Sequence, residues 1–522
     1  MVRLRGARAD VGVSGLVAEN ARLLAENSRL RGQLEAARRA GKRQAAPFSK
    51  GEPKKDPARP GRKSGEGYGT KAHRRVPDRV DEEIRVPLPE ACPCCAGELE
   101  FQDEVDQYQE DLVWVPGHVR RFRVSRGRCK DCGKPVQGRH RDQTSDAIGA
   151  AGSQIGPEAV AIAAWLNKEL GLPMSKVSRV LARAGVHVTA GGLYQAIGRL
   201  AAAAEPTCQA LTVAVGQSAA VAADETGWRV GGRRQWLWVF VGDDGLTVYL
   251  IAPGRGYEQA TSVLGEEFTG VLERDGWAPY RRFEHARHQT CVAHILRRAG
   301  ELIADSVAGQ AKIPHAVRRL LLDALAVRDA HADLLSVTRG GDVIDATCVE
   351  ITDQQPLLTA GAASDTGGTG GTGGAGGEAI AAGENREDRQ AHLDSEIARL
   401  HEQIDRLLAR NPTHAPNRTL LKHLQNEREH LLTFLTTPGV QATNWRAEQA
   451  IRPAVVNRKN WGGNRTPHGA HVQQTLMSVI RTSRQQDICP IALLADLLRQ
   501  PDPAPTSMLR LPAAATADSR SP

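Results

Sequence analysis

Hydrophobic positions near the N-terminus follow a heptad repeat. Its d positions are Leu16, Leu23, Leu30 and Ala37, and its a positions are Val13, Asn20, Asn27 and Leu34. This spacing predicts a coiled coil over residues 10–40, and the two a-position asparagines favour a parallel dimer because a buried amide is satisfied by its own copy. A lone amphipathic helix packed on its own chain is the alternative.

Helical spacing returns between residues 150 and 205. Apolar residues mark three runs, separated by short turns that contain glycine: Pro157 to Leu170, Ser175 to Ala184 and Ala190 to Ala202. We interpret this segment as a helix-turn-helix DNA-binding domain with residues 191–199 as its recognition helix. An ordinary small helical bundle would show the same pattern.

Strand-like segments begin at residue 219. The pattern predicts strands at Ala219–Val230, Trp236–Gly242 and Leu246–Ile251, a helix at Tyr257–Glu267, and a further strand at Gly270–Asp275. Three antiparallel strands, a helix and another strand are the layout of a ribonuclease-H-like domain. We therefore assign residues 215–300 to the first part of such a core. From His285 to Arg328 the pattern predicts helix.

Helices dominate the rest of the chain. A helical insertion is predicted over residues 301–440, with a hairpin broken at Asn411-Pro412-Thr413. Within it, residues 359–383 are rich in glycine and threonine, which predicts a disordered linker. Residues 441–485 would complete the catalytic core, and 486–522 would form a C-terminal segment with a disordered tail. The expected fold class is multidomain α+β.

Composition adds a basic arm to this picture. The chain of 522 residues is 41% hydrophobic and carries a formal net charge of +8. Between Arg38 and Arg75 there are thirteen lysines and arginines against three acids, so residues 41–80 form either a flexible polyanion-binding arm or a solvated spacer. The sequence shows neither a long apolar run nor a signal peptide, which predicts a cytoplasmic protein without a membrane partner.

Four of the nine cysteines form two Cys-x-x-Cys pairs. They are Cys92 with Cys95 and Cys129 with Cys132. Two such knuckles can hold one tetrahedral zinc, so residues 81–145 are predicted to be a zinc-binding domain. Cys94 lies inside the first knuckle, and spacing alone does not exclude it. A four-thiolate site has no open coordination position, so it would stabilise the fold without taking part in chemistry.

Three acids stand in segments that folding could bring together. Asp224 ends the apolar part of the first strand, Asp275 ends the fourth, and Glu448 lies on a late helix. Carboxylate oxygens suit Mg²⁺ or Mn²⁺, and two such ions support phosphodiester cleavage. Two neighbours are rivals: Glu225 would point to the opposite face of its strand, whereas Glu273 would share the face of Asp275.

The sequence motifs around these acids are more informative than the spacing of the acids along the chain. They are Asp-Glu-Thr-Gly-Trp-Arg-Val at 224–230, Trp-Leu-Trp-Val-Phe at 236–240, Asp-Gly-Trp-Ala-Pro-Tyr at 275–280, Arg-Ala-Glu-Gln-Ala-Ile-Arg-Pro at 446–453 and Arg-Lys-Asn at 458–460. These segments closely resemble the IS66-type family of bacterial insertion-sequence transposases, and the resemblance covers most of the chain. It implies a DDE transposase whose catalytic acids are Asp224, Asp275 and Glu448, with Asp224 bridging two metal ions. The family often has Asn-Asn where this chain has Asn444-Trp445.

Basic and aromatic residues follow the third acid. They are Arg452, Arg458, Lys459, Trp461 and Arg465, beside the glycine pair Gly462 and Gly463. We interpret the cations as contacts to DNA phosphates, the glycines as allowing close backbone approach, and Trp461 as a stacking platform for a base. Alternatively, Arg452 pairs with Glu448, which lies four residues earlier on the same helix face.

Cys291 and His294 match the family pattern after its second aspartate. A zinc held by this pair would need two more ligands, for which His285 and His288 are the near candidates. Otherwise His294 supports the active site or its DNA by hydrogen bonding, or it packs a helix.

Together these features predict a transposase that binds terminal inverted repeats, cleaves DNA and transfers 3′-hydroxyl ends to target DNA. It would use Mg²⁺ or Mn²⁺ at the acids and a structural zinc, and it would act at the nucleoid. The coiled coil would pair protomers into a homodimer or a larger assembly, and the resemblance implies accessory proteins encoded by the same element. The rival classes are a DNA-binding regulator or domesticated protein without catalysis, and a metal-dependent nuclease that cuts without joining.

Overall fold

The computed structural model describes most of the chain. The described residues are 77–109, 117–143, 146–148, 154–307, 309–336, 385–500 and 502–512, with positions 22, 23, 26, 30, 338, 339, 342 and 343. They fall into two compact units, residues 1–113 and 114–522. The predicted basic arm lies almost entirely outside the described residues, and the glycine-rich stretch lies wholly outside them.

The first unit contains the N-terminal helix and the first cysteine pair. Leu23 and Leu30, two of the predicted d positions, are helical and about half-exposed, while the remainder of the heptad pattern lies outside the described residues. Around the first cysteine pair the backbone closes a tight turn, in which the N–H of Ala96 donates to the carbonyl of Cys92 at 2.8 Å. The N–H of Cys92 in turn donates to the carbonyl of Gly97 at 2.9 Å.

The second unit begins with a hairpin that carries the second cysteine pair. Strands β1 (Arg126–Arg128) and β2 (Pro135–Gln137) run antiparallel. The connecting turn has the geometry of the first one, because the N–H of Gly133 donates to the carbonyl of Cys129 at 3.0 Å. Gly133 has a φ of +69°, a conformation that glycine adopts without strain.

A five-stranded mixed sheet forms the core of the second unit. Its strands are β3 (Ala220–Val230), β4 (Arg233–Val241), β5 (Thr247–Ala252), β6 (Val271–Arg274) and β7 (Arg287–Thr290). In space their order is β5-β4-β3-β6-β7, with β3, β4 and β5 antiparallel and β6 and β7 parallel to β3. The predicted meander is confirmed, and β3, which carries Asp224, lies beside β6, which leads into Asp275.

Strand β7 corrects the sequence interpretation, which was wrong in expecting helix from His285. The segment Arg-His-Gln-Thr has no apolar alternation, yet its last three side chains are buried. They find distant polar partners: Gln289 Nε2 donates to the carbonyl of Leu431 at 3.3 Å, and Thr290 Oγ1 donates to Glu427 at 2.7 Å. Because these partners lie over 130 residues away, local periodicity could not reveal the strand.

Four helices accompany the sheet in its first part. They are α1 (Pro157–Lys168), α2 (Met174–Arg183), α3 (Ala190–Gly216) and α4 (Tyr257–Leu264). All four share one hydrophobic cluster with the sheet, and within the segment predicted as a helix-turn-helix it is α3 that contacts a strand, β5. Helix α3 continues past the predicted end at Ala202 and through Pro206, because buried residues such as Leu211 pack it against the sheet. Its outer face keeps Tyr194 and Arg199 exposed.

The predicted helical insertion follows β7 and has a hydrophobic cluster of its own. Its elements are α5 (Val292–Ala304), α6 (Lys312–Ala330), α7 (Ala332–Leu335), the paired strands β8 (Thr338–Arg339) and β9 (Asp342–Val343), α8 (Arg386–Leu408), α9 (Ala415–Glu427) and α10 (Thr433–Thr436). The predicted break at residues 411–413 is confirmed, since α8 ends and α9 begins on either side of it.

Three helices complete the unit: α11 (Trp445–Trp461), α12 (Pro467–Gln485) and α13 (Pro490–Arg499). Short 3₁₀ turns lie at Asp243–Gly245, Ala278–Arg282 and Arg428–His430. Helix α11 packs on β3 and β4 through small side chains, among them Ala447, Ala450 and Ala454. This packing sets the first turn of α11 against the strand that carries Asp224. Among the described helices, none is long and apolar enough to cross a membrane.

Candidate active site

Asp224 lies on β3, the middle strand of the sheet. Its Oδ1 accepts a hydrogen bond from the N–H of Glu225 at 2.8 Å. Burial, followed by the negative charge of Glu225, raises the pKa of the Asp224 carboxyl to about 7, and the charges of Asp275 and Glu448 act in the same direction. The site therefore opposes ionisation of Asp224 unless a positive charge is supplied.

Asp275 and Glu448 approach Asp224 from two other elements. Asp275 follows β6, which pairs in parallel with β3, and its Oδ1 accepts the N–H of Trp277 at 2.9 Å. Glu448 lies in the first turn of α11, where the partial positive charge of the helix N-terminus stabilises a carboxylate. Both carboxylates act on the pKa of Asp224. The parallel register pairs Ala222 with Glu273, two residues before Asp224 and Asp275 respectively, and Asn444 at the start of α11 is bonded to Ala223.

The two rival acids are both held by cations. Glu225 is buried, and it accepts hydrogen bonds from Arg255 Nε at 2.6 Å and from the Tyr280 hydroxyl at 2.7 Å. Glu273 is also buried, with Oε2 at 3.1 Å from Arg446 Nη2 and Oε1 accepting the N–H of residue 441. These pairs satisfy both carboxylates, so neither rival is free to join the trio.

Asn444 connects β3, the start of α5 and the start of α11, and sequence reasoning missed it. Its Nδ2 donates to the carbonyl of Ala223 at 2.8 Å, directly before Asp224. Its backbone N–H donates to Cys291 Sγ at 3.2 Å, at the start of α5. As the residue before α11, Asn444 thus sets the position of Glu448 relative to β3 and α5. The polar residue at the start of a helix was the available signal.

A second cluster surrounds Glu448. Ligand atoms of Cys291, His294 and Glu448 lie within 4.8 Å of one another, and His294 Nε2 is 3.7 Å from Glu448 Oε1. His285 and His288, the candidate further ligands for a zinc at this pair, are not in this cluster: His285 Nε2 lies 3.5 Å from Glu267, and His288 Nε2 is bonded to the carbonyl of Phe283. Burial raises the pKa of the Cys291 thiol to about 12, so without a metal ion it is protonated.

The carboxylate trio fits a hard divalent cation. In the described part of the chain, the ion pairs around the site end on Glu225, Glu273 and Glu448, and none ends on Asp224 or Asp275. Carboxylate oxygens are the donor set that Mg²⁺ and Mn²⁺ prefer. The donors around Asp224 therefore suit magnesium better than zinc.

Comparison with known proteins decides which family these features belong to. The family described as Transposase IS66 family matches residues 152–335 and 376–472, which include all three acids and amount to more than half of the chain. The chain belongs to the IS66 transposase family. The unmatched stretch between the two segments contains the glycine-rich residues 359–375, which are therefore extra to the family pattern.

Relatives of this IS66-family chain occur in Sinorhizobium fredii (strain NBRC 101917 / NGR234). The uncharacterized protein y4qI is 22% identical over 352 residues, which cover 63% of this chain and 56% of that protein. The uncharacterized protein y4hP is 22% identical over 449 residues, which cover 81% of this chain and 72% of that protein. The match thus spans little more than half the length of the first relative.

The predicted DNA-contacting residues of the IS66-family chain differ in their surroundings. Arg452, Lys459 and Arg465 are exposed, and Arg452 donates to Gln449 at 3.0 Å, whereas its predicted alternative partner was Glu448. Trp461 is partly buried. Arg458 donates to the Thr226 hydroxyl at 2.8 Å and to the carbonyl of Gly227, so its guanidinium is engaged with β3. Three of the four predicted cations therefore face solvent.

The glycine pair serves the fold of the chain itself. Gly463 has a φ of +120°, and a Cβ atom there would lie 2.3 Å from the carbonyl oxygen of Arg229. This close approach lets the N–H of Asn464 donate to Arg229 at 2.9 Å, and the N–H of Gly231 donate to Asn464 at 2.9 Å. The approach that the glycines allow is thus to the end of β3.

The two cysteine knuckles are each arranged to favour thiolates. N–H groups of Cys94 and Cys95 lower the pKa of Cys92, and those of Cys132 and Asp131 lower the pKa of Cys129. Such turns are typical of zinc knuckles. The two pairs belong to different compact units, and one zinc shared by all four cysteines stays a prediction.

Proposed function

We propose that this IS66-family chain is a DDE transposase that cleaves DNA at the ends of its element and transfers the resulting 3′-hydroxyl ends to target DNA. One observation supports the proposal: Asp275 and Glu448, from two other elements, both act on the pKa of Asp224, and among the described residues no ion pair ends on either aspartate. The competing acids Glu225 and Glu273 are meanwhile neutralised by arginines.

Asp224, Asp275 and Glu448 would hold Mg²⁺ or Mn²⁺. When bound, such ions activate a hydroxyl nucleophile and stabilise the leaving oxygen of a phosphodiester. The chain's own contribution is positioning: Asn444 fixes the start of α11 against β3, and the N–H of Trp277 orients the Asp275 carboxylate. His294, at 3.7 Å from Glu448, holds the third acid from the side of α5.

The strand order supports a ribonuclease-H-like assignment for the catalytic core. An antiparallel meander whose first strand pairs in parallel with β6 and then β7 is the layout expected from the sequence, with acids on the first and fourth strands. The long helical insertion separates these strands from the helix that carries Glu448. This arrangement favours DDE chemistry over a hydrolase of another class.

The remaining modules would recognise and pair DNA ends. Helices α1 to α3, the cysteine-containing segment and the basic arm supply contacts to terminal repeats, and the exposed Arg452, Lys459 and Arg465 extend a cationic surface beyond Glu448. The N-terminal heptads would pair protomers so that two ends are held together. Metal analysis of the purified chain tests the zinc: we expect one zinc per protomer, lost in Cys129→Ser.

The decisive experiment measures cleavage and joining of duplexes that carry the terminal repeats of the element, with Mg²⁺ present. Asp224→Asn should reduce both steps by on the order of a thousand-fold, because the loss of a metal-binding carboxylate removes several kcal/mol of transition-state stabilisation. Binding of the ends should persist. Glu266→Gln, which changes an exposed acid of the same unit, should behave as the unaltered protein does.

Two outcomes would replace the proposal. If the unaltered chain binds ends but does not cut them, and Asp224→Asn keeps every measurable function, the protein is a DNA-binding regulator. If pre-cut ends are never joined although intact DNA is cleaved in an Asp224-dependent manner, it is a nuclease.

A further inference from the structure

A fully buried ion pair joins the catalytic core to the helical insertion. Arg274, the last residue of β6, and Glu427, the last residue of α9, both have completely buried side chains and lie 2.6 Å apart. Arg274 Nη1 also donates to the Thr290 hydroxyl and to the backbone carbonyl of Asp275, each at 3.1 Å. One guanidinium thus connects the insertion with the backbone of a proposed metal ligand.

Glu427 contacts the loop after β6 from both of its ends. Its Oε2 binds Arg274 immediately before Asp275 and accepts the hydroxyl of Thr290 at 2.7 Å. Its Oε1 lies 3.7 Å from Arg281, which is placed after that loop. A single carboxylate therefore spans the segment that carries Asp275.

Helix α9 also contacts the middle of the loop that follows β6. His423 lies one turn before Glu427 on α9, and a Cβ atom at Gly276 would come within 2.3 Å of its ring. A side chain at residue 276 would therefore displace the His423 ring from its place against the loop. Between these two contacts the N–H of Trp277 binds the Asp275 carboxylate, so the path of the loop sets the direction of that carboxylate.

The chemistry of the pair indicates more than packing. Taking an arginine and a glutamate out of water costs several kcal/mol per ion, and apolar side chains of similar volume often stabilise a core equally well. Apolar packing does not fix the orientation of the groups in contact. Charge-assisted hydrogen bonds do, because they constrain the angle and the distance between the groups that they join. Glu427 binds Arg274, and Arg274 binds the backbone carbonyl of Asp275, so this directional contact ends on the backbone of a proposed metal ligand.

We propose that Glu427 is a positioning residue that acts through Arg274 and the loop backbone to orient Asp275 for cation binding. The inference rests on the proposed function, since it assigns the helical insertion a role at the same metal site. The insertion then orients Asp275, in addition to separating Asp275 from Glu448 along the chain.

The test is a Mn²⁺ titration of the full chain followed by electron paramagnetic resonance, with folding checked by circular dichroism and thermal melting. Glu427→Gln keeps the shape of the side chain but removes its charge, and it should weaken Mn²⁺ binding about 10-fold, as loss of groups that orient metal ligands commonly does. Thr290→Val removes only a hydroxyl from the cluster and should give a smaller shift in the same direction. Leu424→Ala is the matched control, because Leu424 is buried on the same helix within the apolar cluster of the insertion. It should lower the melting temperature without changing Mn²⁺ affinity.

The results separate this inference from the function on which it rests. If Asp224→Asn weakens Mn²⁺ binding and abolishes cleavage while folded Glu427→Gln and Thr290→Val bind Mn²⁺ as the unaltered chain does, the positioning role is wrong. If Glu427→Gln does not fold, unchanged Mn²⁺ binding by Thr290→Val overturns it. If Asp224→Asn leaves Mn²⁺ binding and cleavage unchanged, the proposed function itself fails.

Discussion

At the scale of single residues, the raised pKa of Asp224 links folding to pH. An unfolded chain ionises this carboxyl near 3.8, whereas the folded chain does so near 7. Between these values the folded state binds the extra proton, so its stability falls as the pH rises through that window. Without metal, Asp224→Asn should therefore exceed the unaltered chain in free energy of unfolding by about 4 kcal/mol at pH 8.

Denaturant unfolding in a chelator at pH 4 and pH 8 measures this difference. At pH 4 the two proteins should be nearly equal, since the carboxyl is then largely protonated in the folded chain. Added Mg²⁺ should stabilise the unaltered chain at pH 8 and leave Asp224→Asn nearly unaffected. A constant difference between the two proteins at both pH values would contradict the assignment of the shift to Asp224.

The sequence predicted the three acids but could not remove their rivals. Motifs around Asp224, Asp275 and Glu448 identified the trio, and strand alternation disfavoured only Glu225. The partners that occupy Glu225 and Glu273 are arginines 30 and 173 residues away, brought in by folding. Local sequence patterns do not reveal pairs between such distant residues. For the same reason Arg458 was expected to contact DNA, whereas its guanidinium binds β3.

At the scale of elements, the end of α11 is fastened to β3 through a backbone conformation that requires glycine. Gly463→Ala should destabilise the fold by about 2–3 kcal/mol, because the strained φ adds to a clash with the carbonyl of Arg229. Gly462→Ala is the matched control: its φ is +83° but nothing lies near a Cβ there, so about 1 kcal/mol is expected. Thermal melting distinguishes them, and equal effects would show that the contact with β3 contributes nothing.

Elements with their own apolar period were predictable, and those that depend on tertiary partners were not. The meander of β3, β4 and β5 and the hairpin of α8 and α9 have clear alternation or helical spacing. Strand β7 is polar and depends on residues of the insertion, while α3 passes through a proline because burial on the sheet outweighs the local cost.

At the scale of the whole molecule, the two half-exposed leucines of the N-terminal helix predict self-association. Leu23 and Leu30 leave about half of their surfaces uncovered, at 50% and 49%. Covering each leucine in a dimer should contribute about 1–2 kcal/mol, so replacing both by serine should convert a dimer into a monomer. Sedimentation velocity measures the state. Arg22→Gln, at the neighbouring c position of the heptad, should leave it unchanged, and a persistent dimer in the double variant would place the interface elsewhere.

The position of α11 near the end of the chain has a consequence during translation. Two of the clustered acids emerge from the ribosome more than 170 residues before the third, with the insertion and the partner of Arg274 synthesised in between. A ribosome that stops between codons 275 and 448 releases a polypeptide that carries the first two acids but not the third. Premature termination or a frameshift inside the insertion therefore yields a product that keeps helices α1 to α3, Asp224 and Asp275 but lacks Glu448.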